Sequence, residues 1–195
     1  ADAGLFRLWL PCALGGAELA PLDFLEVVET AAALDGSIGW LVGNGGGMSR
    51  IAGYLPPDVS RRIFSDPRAF VVSATGAVGT LEPASDGWRV SGRWPFGSGA
   101  AHASHFAGLA ALGGEPGPGR PLLFCCFPRA QVVVHDTWHV SGLRGTGSSD
   151  WEVRDALVPA SQCHPFPDHV PTEPGLLYRM PALSVFAWTV AVVPL

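Results

Sequence analysis

Lysine is missing from this chain of 195 residues: all twelve basic positions are arginine. That absence removes the phosphate-cradling lysine of a P-loop, the Schiff-base lysine of pyridoxal chemistry and the lysine of a kinase strand. Charge is scarce altogether, at 15% of residues against roughly 25% in an average globular domain. With a net charge of −5 and a pI near 5.6, the chain lacks the basic patch that counterion release requires, so no nucleic-acid partner is expected. Long apolar runs are missing too. The longest stretch free of both charge and histidine, Met180 to Leu195, carries two prolines and falls short of the roughly 20 residues that span a bilayer. No basic leader precedes the first apolar run, which Pro11 interrupts, so a soluble, cytoplasmic protein with no membrane contact is expected.

Four cysteines, Cys12, Cys125, Cys126 and Cys163, are too few for a disulfide framework in a chain of this size. Cys125 and Cys126 lie within Leu122–Phe127, an apolar run that reads as a buried strand holding free thiols. Glycine and proline are plentiful, together about 22% of residues, just below the level that marks low complexity. They fall between apolar runs and read as turns.

The pattern changes character near residue 68. From Pro21 to about Ser65 it is helical, with Phe24, Leu25, Val27, Val28, Ala31, Ala32 and Leu34 at i, i+3, i+4 spacing. Ser37 is the expected N-cap of a second helix, and Asp58 that of a short third one. The Gly43–Gly47 run must break, kink or closely pack the second helix. From Arg68 to about Pro159 the segments are short, β-branched and aromatic. Strands are expected at Ala69–Ala74, Gly87–Arg93, Phe106–Leu112, Leu122–Phe127, Val132–His135 and Trp151–Val158. Such spacing suggests an antiparallel barrel or sandwich. A linker rich in proline and histidine follows, and Leu183–Val193 reads as the start of a buried helix whose packing partners are missing from the chain. The expected architecture is α+β: a helical domain (1–67), a middle antiparallel β-barrel (68–160), then a linker and the first part of a truncated helical bundle (161–195).

Hydrolytic and metal chemistry find little footing. There is no Gly-x-Ser-x-Gly elbow. His102 with His105, and His135 with His139, have ligand-like spacing but sit in strand-and-turn context, where i, i+4 pairs do not converge, so no metal is expected. Gly43–Gly47 follows a helix and does not match a dinucleotide fingerprint.

Two segments are more informative. Val90–His102 brings an extended run into aromatics and then into small residues, Trp94-Pro95-Phe96-Gly97-Ser98-Gly99. Asp136–Asp150 offers Arg144, several hydroxyls and glycine-exposed amides just before a strand. Taken singly, each reads as a hairpin around a packed tryptophan. Taken together and in this order, with Leu10-Pro11-Cys12-Ala13-Leu14-Gly15-Gly16 and Asp35–Trp40, they resemble the acyl-CoA dehydrogenase superfamily. Val90–Trp94 and Leu143–Ser148 are most similar to the branch that includes reduced-flavin-dependent monooxygenases.

The resemblance implies a flavoprotein with a helical domain, a β-barrel and a C-terminal bundle, usually a homotetramer. It implies FAD, or reduced FMN or FAD supplied by a reductase, lying against Ser73, Thr75, Trp94, Phe96, Gly97 and Ser98, with Arg144 near the cofactor, at a subunit interface or anchoring its loop. Ser98 is preferred as the donor beside flavin N5. The nominal reaction is α,β-dehydrogenation of an acyl thioester, with a small molecule such as an acyl-CoA as substrate. The alternatives are a two-component monooxygenase and a non-catalytic truncated paralogue. Catalytic residues stay unassigned, because the dehydrogenase base lies on the bundle. The histidine that phenol hydroxylases carry on the helix matching Gly43–Arg50 has no counterpart here, although His102 or a residue from the rest of the bundle could substitute.

Overall fold

A computed structural model describes residues 2–118, 120–167, 170–181 and 189. The chain divides into two compact units: Ala1–Phe70 with His139–Thr146 and Pro171–Leu195, and Val71–Trp138 with Gly147–Val170.

The first unit is helical. Helix α1 (Pro21–Leu34) begins with proline at N1, where the missing N–H costs nothing, and carries Asp23 in its first turn. It buries Phe24, Val28 and Ala31, one stripe at i, i+4, i+7. The face is narrower than the sequence suggests, since Leu34 is 80% exposed. Helix α2 (Gly36–Met48) is capped by Asp35 rather than by Ser37: the Asp35 carboxylate accepts from the amides of Ser37 and Ile38 at 2.8 and 3.1 Å. The extended backbone of Asp35 (ψ 129°) makes it the cap and leaves Ser37 inside the first turn. Helix α2 continues unbroken through the glycine run, which closes the packing distance. A Cβ on Gly39 would overlap the Ala32 methyl of α1, and one on Gly45 would strike the Phe70 ring. Helix α3 (Pro57–Ile63) starts on proline with Pro56 at the cap and no side-chain capping bond, so Asp58 lies in its first turn instead of capping it.

The core of this unit stacks Trp9 on Phe24 at 4.1 Å between ring centroids and closes with Leu8, Val28, Val42, Tyr54 and Tyr178. Arg50 is buried within it. Its Nε donates to the Tyr54 hydroxyl at 2.8 Å, one Nη donates to the Met180 carbonyl at 2.9 Å, and the guanidinium lies 5.8 Å from the Trp9 ring centre. The helix expected over Leu183–Val193 lies outside the described residues except for Thr189, which is helical and buried.

The second unit is one seven-stranded sheet: β1 (Val71–Ala84), β2 (Gly87–Gly97), β3 (His105–Leu112), β4 (Leu122–Pro128), β5 (Val133–Val134), β6 (Ser149–Pro159) and β7 (Cys163–Pro165), in the order β5-β6-β2-β1-β3-β4-β7. Two features correct the expected antiparallel barrel. The sheet is open, with β5 and β7 at its edges, and β1 pairs with β3 in parallel. The reason is topological: β2 turns back along one side of β1, and the chain then returns on the other side, so β3 runs in the direction of β1. Local strand patterns do not encode that crossing.

The sheet is nevertheless strongly rolled. Four strand spacings would hold β6 and β4 about 19 Å apart if it were flat, yet the Trp151 and Phe127 ring centres lie 6.0 Å apart. The roll encloses Trp94, Trp151, Phe106 and Phe127, all fully buried. Trp94 stacks on Trp151 at 4.4 Å and donates its indole N–H to the Leu109 carbonyl at 3.0 Å. Gly108 makes room for the stack, since a Cβ there would stand 2.8 Å from both rings. No helix among the described residues is long and apolar enough to cross a membrane.

Candidate functional site

Strands β1, β2 and β6 are antiparallel neighbours, so the start of β1, the end of β2 and the start of β6 meet at one end of the sheet. That end gathers Ser73, Thr75, Phe96, Gly97 and Ser98 from the expected set, and adds Ser148.

On β1 the ladder to β3 runs to Ala74↔Gly108 and resumes at Val78↔Leu109. The irregularity takes Thr75, Gly76 and Ala77 out of register with β3. Ser73 is half-buried, and Thr75 and Gly76 are exposed. Backbone groups released from a ladder must find other partners, and an exposed strand end is where a planar polar edge can supply them.

On β2 the two aromatics of the Trp94-Pro95-Phe96 segment part company. Trp94 faces inward and its indole is committed to the core, so its side chain does not reach the surface. Phe96 points outward, 65% exposed, with its ring edge-on to Trp138 at 6.2 Å. Its φ is +61°, a left-handed conformation that costs a bulky residue of order 1–3 kcal/mol. Gly97 pairs with Ser149, and a Cβ at Gly97 would press on the Trp151 ring; its role is to pass the backbone over that ring. Ser98 then turns inward, its amide donating to the Phe96 carbonyl at 2.9 Å. Its hydroxyl shares a 2.8 Å hydrogen bond with the Ser148 hydroxyl, and both serines are nearly buried. Ser148 lies in the Leu143–Ser148 segment, but burial of its hydroxyl against Ser98 has no signal in the sequence.

Arg144 is exposed and belongs to the helical unit, at the start of the 3-10 turn Arg144–Thr146. The buried Thr146 closes this turn, its hydroxyl donating to the Leu143 carbonyl at 2.8 Å.

Charges flank the strand end. The Arg93 guanidinium grips the Asp150 carboxylate at 2.8 and 3.0 Å. The Glu152 carboxylate is held by Arg154 at 2.6 Å and by His135 Nε2 at 2.9 Å. The hydrogen bonds from Arg154, then from His135, lower the Glu152 carboxyl to about 2. The Arg93–Asp150 pair ties β2 to β6, and His135, the residue after β5, ties to β6 through Glu152. Among the described residues no group of three or more His, Cys, Asp or Glu converges as a metal site.

The strand end therefore pairs an outward aromatic ring, strained into place, with recessed hydroxyls and out-of-register backbone, an arrangement suited to a flat heteroaromatic ligand with a polar edge. The chain's relatives and structural neighbours include oxygenase components of flavin-dependent monooxygenases. It is 36% identical over 161 residues to a pigment production hydroxylase of Rhodococcus erythropolis, covering 80% of this chain and 41% of that protein. It is 31% identical over 201 residues to the flavin-dependent monooxygenase oxygenase subunit HsaA of Rhodococcus jostii, covering 97% and 52%. It is also 31% identical over 195 residues to the FADH2-dependent resorcinol hydroxylase oxygenase component of a Rhizobium species, covering 93% and 46%.

Among solved structures, the HsaA monooxygenase of Mycobacterium tuberculosis superposes with a TM-score of 0.89 at 26% identity, covering 98% of this chain and 52% of that one. XiaF of a Streptomyces species, solved with FADH2 and glycerol, gives 0.86 at 28%, covering 98% and 50%. No family model matches the chain. The chain spans about half the length of the curated relatives it matches. These relatives are monooxygenases and hydroxylases, so acyl thioester dehydrogenation, the leading expectation from sequence, finds no support in them; the monooxygenase alternative does.

Proposed function

We propose that this chain belongs to the oxygenase component of a two-component, reduced-flavin-dependent monooxygenase in the acyl-CoA dehydrogenase superfamily, and that it hydroxylates a small aromatic substrate. The observation that carries this reading is Phe96: a bulky ring held exposed at positive φ beside the buried Ser98–Ser148 pair. Fold alone would leave the chemistry open. The names of the relatives narrow it, since a resorcinol hydroxylase, a pigment production hydroxylase and a flavin-dependent monooxygenase are among them.

The residues fit a flavin in kind. Phe96 supplies a face to cover the ring system, and the Ser98 hydroxyl, oriented by Ser148, supplies a donor or acceptor. The half-buried Ser73 and the exposed Thr75 and Gly76 supply backbone and hydroxyl groups for a pyrimidine edge. Bound reduced flavin, FADH2 or FMNH2 delivered by a separate reductase, would provide the electrons with which one atom of dioxygen enters the substrate and the other leaves as water. The work of this chain is binding and orientation. Phe96 and Trp138 exclude water from one side of the ligand, and the paired serines fix where a proton is held, because neither hydroxyl can turn without breaking the bond to the other.

The test is anaerobic titration with photoreduced and with oxidised flavin, followed by a reductase-coupled reaction under labelled dioxygen with a panel of phenols. Reduced flavin is expected to bind at least tenfold more tightly than oxidised flavin, and label is expected in one hydroxyl of the product. Phe96→Gly is expected to weaken reduced-flavin binding by about tenfold while the protein loses no stability, since glycine relieves the strained φ. Equal affinity of wild type and Phe96→Gly would overturn the placement of the ring. Bleaching of the flavin by an acyl-CoA without oxygen would overturn the monooxygenase reading.

A further inference from the structure

We propose that Cys125 and Cys163 form a peroxide-oxidisable dithiol that closes to a cross-strand disulfide between β4 and β7. The two residues stand directly opposite each other in the antiparallel β4–β7 ladder, and their sulfur atoms lie 3.2 Å apart, inside van der Waals contact for two sulfurs. Directly opposed antiparallel residues have Cα atoms about 4.5–5.5 Å apart, within the span that a disulfide bridges. Closure therefore asks for side-chain rotation rather than a change of register. Strand β7 has three residues and lies at the sheet edge, so it can follow a small movement of Cys163.

The two thiols differ in a way that assigns their roles. Cys163 is half-buried and donates its S–H to Cys125, with the Pro159 carbonyl also near at 3.8 Å. Cys125 is fully buried. The hydrogen bond from Cys163 and burial push the Cys125 thiol up, so it stays protonated and shielded until its partner reacts. Cys163 is the sulfur that a small oxidant can reach. Its sulfur attacks one oxygen of hydrogen peroxide, the O–O bond breaks, and the departing hydroxide takes the Cys163 proton as water, leaving a sulfenic acid. The Cys125 sulfur then attacks the sulfenyl sulfur. The S–S bond forms as the S–O bond breaks, and the second hydroxide leaves as water with the Cys125 proton. Two thiols and one peroxide give one disulfide and two waters. The other cysteines are poorly placed for this chemistry: Cys12 is exposed and belongs to the helical unit, and Cys126, next along β4, points to the opposite face.

This inference is independent of the flavin reading and is tested without flavin. The protein is treated with a slight excess of hydrogen peroxide, denatured in an alkylating agent and digested without reductant. Two of the four cysteines are expected to escape alkylation, with one linked peptide joining Cys125 to Cys163. Dithiothreitol should restore all four. Cys12→Ser should behave as the wild type, losing two alkylatable thiols. Cys163→Ser should lose the linked peptide. The wild-type map decides the matter even if that variant folds poorly. Four alkylatable cysteines after peroxide would overturn the proposal, as would a link that includes Cys12 or Cys126.

Discussion

The helical unit and the sheet unit each bury a tryptophan against a second aromatic ring, and they secure it by different means. Around Trp9 the helical unit places a cation: Arg50 sits against the ring and gives its hydrogen bonds to the Tyr54 hydroxyl and the Met180 carbonyl. Around Trp94 and Trp151 the sheet unit places carbon, with Phe106 and Phe127 completing an apolar cluster and Gly79, Gly92, Gly97 and Gly108 leaving room where a Cβ would press on one or both indoles. A core held by a buried charge depends on its acceptors, because desolvation must be matched by hydrogen bonds. A core held by close packing depends on volume. The two units should therefore fail under different substitutions.

The largest effect is expected in the sheet. Trp151→Ala removes the central ring of the stack and should cost about 3–5 kcal/mol in urea unfolding, because the rolled sheet cannot collapse onto the void. Arg50→Ala should cost less, about 1–3 kcal/mol, mainly by stranding the Tyr54 hydroxyl and the Met180 carbonyl. Equal losses for the two variants would break the contrast. Asp35→Ala should cost about 1 kcal/mol by uncapping α2, while Ser37→Ala should leave stability within a few tenths of that of the wild type; the reverse ranking would restore Ser37 as the cap.

The smallest effect is a pH response in the sheet unit. The Glu152 carboxyl is depressed to about 2 in the folded protein. Its contribution is then fully present above its ordinary value near 4.5 and is lost as pH falls through about 2. An NMR titration of the Glu152 carboxyl should show a midpoint near 2, raised more by Arg154→Ala than by His135→Ala.

These contrasts also mark what could be read from the sequence. The strands were legible because β-branched and aromatic residues cluster in short runs between turn residues, and Leu122–Phe127 reads as the buried strand that it is. The caps were not. Ser37 and Asp58 have the right chemistry, but a cap is decided by the backbone angle of the residue before the first turn, and Asp35 and Pro56 hold those places. The parallel β1–β3 pair was invisible, because it joins segments separated by an entire hairpin. At the site, Phe96 and Ser98 were named from the family resemblance, and the outward ring and recessed hydroxyl are what the fold adds. A packed Trp94 was one of the readings of its segment, but its partners were not legible, because the roll that buries it is set by residues on β3, β4 and β6.

The parallel pair has a kinetic consequence. β1 and β2 join through a two-residue turn, Ala84↔Gly87, and can zip with almost no loop to close. β3 can add to the far edge of β1 only after the chain has run the length of β2 and crossed back. Loop-closure entropy is therefore spent late, on the contact that commits the sheet to its roll. The β1–β2 hairpin, with the shortest connection in the sheet, is expected to form before β3 pairs with β1.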